Sequence, residues 1–187
     1  YWTAELELEV PQEGMTINYS YQIEQNGIVI RKEWDSFSRS IFLSGSSRKI
    51  YRINDCWKNI PEQLYLYSSA FTEALLAHPE KENIPQRYKK GLVIKAYAPR
   101  INKDYCLAIC GNQKSLGHWD PEKAVLMSDT NFPEWQIELD ASKLKYPLEY
   151  KFILYNKQEK KADCWEKNPN RYLADPELKT NETLVIS

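Results

Sequence analysis

The chain has 187 residues, of which 42% are apolar and 27% charged, with six Trp and thirteen Tyr and a formal net charge of -1. That length holds one large or two small domains. The balanced charge argues against nucleic acid or an anionic membrane surface as the main partner, since both reward a basic patch, and no apolar run approaches the roughly 20 residues that span a bilayer.

In chain order, the first readable elements are strands. "WTAELELEV" alternates apolar and polar from its first residues, as do "INYSYQI" and "GIVIRKEW", with "EQNG" between the last two as a hairpin turn. There is no initiator Met and no secretory leader. A chain that opens inside a strand pattern reads as a piece of a longer protein.

Residues 57–90 change texture. They hold three prolines, and only "SAFTEALLAH" has the makings of a short helix, capped by Ser69 and stopped by Pro79. The stretch reads as a linker. From residue 91 the period of two returns in "GLVIKAYA", "DYCLAICG", "KAVLMS", "EWQIELD", "LEYKFILYN", "KADCWE" and "ETLVIS". Short strands at this spacing predict an all-β sandwich or barrel. On the strand "LEYKFILYN", alternation sends Tyr150 and Phe152 inward and Lys151 outward.

The two halves resemble each other. Trp2 aligns with Trp135, and Tyr19, Tyr21 and Ile23 align with Tyr150, Phe152 and Leu154. Ser20 precedes Trp34 by the same fourteen residues that separate Lys151 from Trp165. The layout is one module twice: residues 1–56 are the C-terminal half of a first copy, 57–90 the linker, and 91–187 a complete second copy. The first copy lacks a counterpart to residues 92–133. Tyr19, Tyr21, Ile23, Ile28 and Ile30 would then lose their facing residues. The expectation is that the full protein begins some 40 residues earlier, the alternative being that the first half packs on the second copy or on another molecule.

Two tryptophans stand in polar surroundings. Trp119 lies in the turn "GNQKSLGHWD", and Trp165 ends the strand "KADCWE" before "KNPNR". An indole face suits the apolar C–H face of a sugar ring and costs little entropy on binding. Lys151, Glu166 and Asn170 are near enough in sequence to Trp165 to meet a sugar's hydroxyl edge. The same spacing also fits two half-buried core residues.

Enzymatic readings are thin. His78 and His118 are the only bases that titrate near neutral pH. His78 falls at the end of the linker helix, where it suits the helix dipole, and His118 adjoins Trp119. The acid pair Asp120 and Glu122 is an ordinary surface pair. No Gly-rich phosphate loop marks a cofactor. Cys106, Cys110 and His118 lack metal-ligand spacing. Cys106 and Cys110 share a strand about 13 Å apart and cannot bridge each other. With Cys56 and Cys164 they predict free thiols in a reducing, cytoplasmic compartment. No catalytic residue, cofactor or metal is expected in this chain.

"GNQKSLGHWDPEKAVLMS", "EWQIEL", "LEYKFIL" and "CWEKNPNRYL", in this order, resemble the starch-binding domain of carbohydrate-binding module family 20. The resemblance covers residues 92–187. It implies an immunoglobulin-like β-sandwich that binds α-1,4-glucan or maltooligosaccharide without catalysis. It places the family's two stacking tryptophans on Trp119 and Trp165, its lysine on Lys151, its glutamate on Glu166 and its asparagine on Asn170. Trp135 falls on the strand tryptophan of the core. Trp135 is therefore expected buried, and Trp119 and Trp165 largely exposed. The truncated first copy keeps Trp34 and Asp35 as a possible sugar contact, but Ser20 stands where the lysine would be.

Two departures bear on a second glucan site, which many members build from tyrosines. Lys103 with Tyr105 stands at one of its places and Phe132 in "DTNFPE" at the other. The tandem layout and the linker "LYSSAFTEALL" further resemble the amino-terminal part of family 77 4-α-glucanotransferases, the disproportionating amylomaltase type. That resemblance implies a covalently linked catalytic domain as partner. The rival reading is an immunoglobulin-like spacer or a protein-docking or regulatory module that binds no sugar. What separates the two is whether Trp119 and Trp165 share one solvent-facing surface within about 10 Å, roughly the reach of a paired aromatic platform, as the glucan reading requires, or whether either is buried, as the docking reading favours.

Overall fold

Period-2 alternation becomes strand wherever a neighbouring strand is present to complete the ladder. The computed structural model describes residues 2–33, 39–45, 48–57 and 82–187. The expected helix at 69–78, with its cap Ser69, its stop Pro79 and His78, lies outside the described residues, as do Trp34 and Asp35. Contacts divide the chain into two units, Tyr1–Arg48 with Cys56–Pro85, and Lys49–Asp55 with Gln86–Ser187.

In the first unit, β1 (Met15–Tyr19) pairs antiparallel with β4 (Arg39–Leu43). Strands β2 (Gln22–Gln25) and β3 (Ile28–Lys32) form the expected hairpin. Its turn places Asn26 and Gly27 at φ 52° and 77°, the left-handed pair that matches the twist of a tight hairpin. Behind it, Arg39 forks onto Glu33 through Nη2–Oε1 at 2.7 Å and Nε–Oε2 at 3.2 Å, with both side chains buried. A buried charge pair of this kind holds only when geometry satisfies both partners, and the Cys56 carbonyl takes a further bond from Arg39. The strand expected over "WTAELELEV" does not form: residues 2–10 carry no ladder, and Trp2, Leu6 and Leu8 are exposed. Alternation alone cannot make a strand, because its backbone needs a partner. Tyr21, Ile23, Ile28 and Ile30 are also exposed.

The second unit is a β-sandwich. Its strands are β5 (Ile50–Asn54), β6 (Lys90–Tyr97), β7 (Tyr105–Gly111), β8 (Val125–Leu126), β9 (Glu134–Asp140), β10 (Leu148–Asn156), β11 (Lys161–Trp165), β12 (Arg171–Leu173) and β13 (Glu182–Ile186). One sheet runs β11-β10-β7-β8, with β12 also on β10; the other runs β5-β13-β6-β9. Inward side chains from both sheets meet in one core that includes Leu92, Ile94, Ile109, Trp135, Ile137, Leu148, Tyr150 and Leu184. Trp135 is 2% exposed, as expected, and its Nε1–H donates to the Ala98 carbonyl at 3.2 Å. That bond lets a buried indole keep its polar atom satisfied. Tyr150 is buried, and Phe152 packs half-buried against the same core.

Strand β5 is the departure from the repeat. The sequence layout assigns it to the first copy, within residues 1–56, yet it lies parallel along β13, from Ile50 opposite Glu182 to Asn54 opposite Ile186. An edge strand offers a row of unpaired N–H and C=O groups, and β5 fills it. Side chains fix the register. Arg52 pairs with the buried Glu182 at 2.6 Å and donates to the Pro176 carbonyl at 2.6 Å, while Ser187 Oγ bonds Asp55.

Candidate functional site

The sheet carrying β10 and β7 has apolar side chains on its outer face as well. Ala108, Cys110 and Ile153 form a small buried cluster there, and Trp165 packs on it. Trp165 sits directly opposite Ile153 in the β10–β11 ladder, so the strand itself aims the indole at this floor. Trp119 arrives from the loop between β7 and β8. The two ring centroids are 6.4 Å apart, with planes inclined by 41°.

The loop is built to hold Trp119 in place. Gly111 ends β7 where a Cβ would come within 2.5 Å of the Glu149 carbonyl. The Gln113 side chain then ties the loop to the 145 backbone, donating to the Lys145 carbonyl at 3.3 Å and accepting from its N–H at 3.0 Å. Leu116 plunges fully into the core. The next three residues, Gly117, His118 and Trp119, all have left-handed backbone, at φ 80°, 54° and 63°. Left-handed backbone is costly for His and more so for Trp, and such strain persists only when the surroundings over-determine it. Beyond it, Asp120 caps the short turn Pro121–Lys123 by accepting from Glu122 N–H at 3.1 Å, and it pairs with Lys123. Its carboxyl is held below the usual range, first by Lys123 and then by that N–H.

Gly117 is the residue the loop depends on. A Cβ there would approach the Lys123 carbonyl oxygen to 2.8 Å, and the backbone is left-handed as well. Gly117→Ala should therefore destabilise the domain by about 1–3 kcal/mol and displace Trp119. Denaturant titration checks the first effect and sugar titration the second.

The three polar residues expected to line the site are each engaged with the protein. Lys151 Nζ donates to the carbonyls of Glu166 at 3.1 Å and Asn168 at 2.6 Å. Two of the three donors of an ammonium group are thus used to pin the loop after Trp165. Asn170 Nδ2 donates to Glu149 Oε2 at 3.2 Å. Glu166 accepts from Phe152 N–H at 3.3 Å and from both arms of Arg171, at 3.1 Å and 2.6 Å. Sequence reasoning missed Arg171 and Glu149 as parts of the site. Arg171 was visible only as the second half of "NR"; its guanidinium also lies 4.7 Å from the Phe152 ring centroid.

The tryptophans differ from expectation in one respect. Both are half-buried, where large exposure was expected. Each covers part of the other, and Trp165 also covers the outer-face cluster. Burial pushes the Glu166 carboxyl up, but Arg171 and the Phe152 N–H outweigh it and hold the group below the usual carboxylate range. A depressed carboxylate stabilises the fold above its unfolded value of about 4.3 and loses that contribution as pH falls through the lower folded value. Sugar binding should therefore hold steady from neutral pH down to about 5 and weaken below about 4. A fluorescence titration repeated across that range reads it directly; weakening already at pH 6 would count against the Glu166–Arg171 tie.

Chemically the arrangement is a platform: two apolar ring faces with a polar margin. Among the described residues no three His, Cys, Asp or Glu side chains gather as metal ligands.

Residues 93–185 match the family model described as starch binding domain, CBM_20. No curated protein matches the chain. Among solved structures, the chain is similar to the family 20 module of a maltotetraose-forming amylase from Pseudomonas saccharophila STB07, with 17% identity over 52% of this chain and 99% of that one and a TM-score of 0.42. It is also similar to the family 15 glucoamylase of Hypocrea jecorina, with 20% identity over 52% of this chain and 16% of that one and a TM-score of 0.39. The Hormoconis resinae glucoamylase is 16% identical over 56% of this chain and 18% of that one, with a TM-score of 0.40. The chain thus spans less than a fifth of each glucoamylase. Residues 93–185 belong to the starch-binding domains of carbohydrate-binding module family 20, non-catalytic modules whose ligand is an α-glucan.

Proposed function

We propose that this domain holds α-1,4-glucan chains against Trp119 and Trp165. The observation that carries the reading is the approach of the two indoles to 6.4 Å on one outer sheet face, with ring planes inclined by 41°. Two flat faces at an angle suit a curved chain of sugar rings better than a flat one, because each ring can lie on its own indole. The polar residues act chiefly by placement. Lys151 and Arg171 fix the segment 165–171, and Lys151 keeps one donor for a sugar hydroxyl.

We further propose that the module delivers a linked 4-α-glucanotransferase of the family 77 type to its substrate. Support for this comes from the repeat of "YSYQI" and "YKFIL", from the shared spacing to Trp34 and Trp165, and from the linker "LYSSAFTEALL". Native gel retardation is the test of the glucan reading. Migration should slow in gels containing amylose or glycogen and stay unchanged in gels containing dextran, whose linkages differ. Equal migration in all gels would favour the spacer or docking reading instead.

A further inference from the structure

Strand β12 carries a second aromatic platform that the tryptophan pair does not use. Tyr172 is 65% exposed. It borders an open groove of about 330 Å³ whose other walls include Leu144, Tyr146, Pro147 and Asp175. The Tyr146 ring packs against the core, while its hydroxyl is buried with no hydrogen-bond partner. A buried hydroxyl without a partner is costly and calls for an explanation. Burial first, and then the Asp175 carboxylate, keep that phenol protonated, so it remains a donor. Asp175 itself accepts from the Glu177 N–H through Oδ1 at 2.9 Å.

Tyr172 projects to the same sheet face as Trp165. Tyr172 is opposite Glu149 on β10, and Trp165 is opposite Ile153. Directly opposed residues of antiparallel strands project to one side, and positions 149, 151 and 153 of one strand share a face. Asn170 bonds Glu149, the residue opposite Tyr172. Four residues of strand separate the patches, about 13 Å, which is beyond the reach of a single sugar ring.

We propose that the groove at Tyr172 and Tyr146 is an extension subsite, taking sugar rings of the same α-glucan chain that rests on Trp119 and Trp165. A ring lies on the exposed face of Tyr172, and a sugar hydroxyl accepts from the Tyr146 O–H and donates to Asp175. The inference rests on the glucan reading of the tryptophan pair and adds a length preference to it.

Calorimetric titration with maltotriose and maltoheptaose tests it on the full 187-residue chain. Tyr172→Ala should weaken maltoheptaose binding about tenfold, as loss of a stacking residue does, and leave maltotriose unchanged. Tyr146→Phe should leave the melting temperature of the free protein unchanged or higher, and should still weaken maltoheptaose binding. Unaltered maltoheptaose affinity in Tyr172→Ala, or an equal loss for both sugars, overturns the subsite. A lowered melting temperature in Tyr146→Phe shows the hydroxyl already satisfied and overturns its role. If the unsubstituted chain binds neither sugar, the glucan reading itself has failed, and the subsite falls with it.

Discussion

Replacing Trp119 and Trp165 together with alanine is expected to abolish measurable maltooligosaccharide binding while the domain stays folded. Each single substitution should weaken binding by roughly 1–3 kcal/mol, the range for removing a stacking anchor. The pair will not act additively. The indoles are 6.4 Å apart, so removing one uncovers and loosens the other, and residues in contact couple. Stability should fall only modestly. Both side chains are half-buried on an outer face, so the core between the sheets keeps its packing, although Ala108, Cys110 and Ile153 lose the cover of Trp165. Calorimetric titration with parallel circular dichroism separates the two effects. Wild-type affinity in both single variants would remove the tryptophans from the site.

Trp135→Ala should do the reverse. The residue is the largest of the fully buried side chains and belongs to the core between the two sheets. Its loss leaves a cavity in close-packed surroundings, worth about 3–5 kcal/mol for a buried aromatic. Phe132, which meets its ring edge-on at a centroid distance of 6.1 Å, cannot fill that space without leaving its own contacts. It also leaves the Ala98 carbonyl without its indole donor. Chemical denaturation should show the midpoint falling sharply, and sugar binding should persist in whatever fraction remains folded. A loss below about 1 kcal/mol would mean the core repacks around the gap far better than such cavities usually allow. The two experiments together set one residue type in two roles, distinguished by which face of the sandwich it occupies.

The neighbours of each position carry part of that distinction, and the family resemblance carried the rest, since spacing alone also fitted Trp119 and Trp165 as half-buried core residues. Trp135 alternates with polar residues inside "EWQIELD", which marks a sheet with one buried face. Trp119 and Trp165 follow or precede Gly, Asp, Asn and Pro. Strand alternation likewise placed Tyr150, Lys151 and Phe152 correctly. The polar residues were chosen for their closeness in sequence to Trp165, and their partners were not legible. Glu166 is bound by Arg171 and Asn170 by Glu149, and such pairings depend on how a loop folds back on a strand. The left-handed run at 117–119 was hidden for the same reason, since only Gly117 advertises it. Alternation misled at residues 2–10, where the pattern is present but no strand among the described residues pairs with it, and at 50–54, where a sequence repeat says nothing about which sheet edge a strand will join.

Glucan binding by the tryptophan pair is read most directly by titrating the 187-residue chain with maltoheptaose and following the indole N–H resonances of its tryptophans. The Trp119 and Trp165 signals should shift together along one binding curve. The Trp135 signal, whose N–H is bonded to the Ala98 carbonyl inside the core, should stay where it is. Binding that moves neither Trp119 nor Trp165 would place the glucan site elsewhere on the chain.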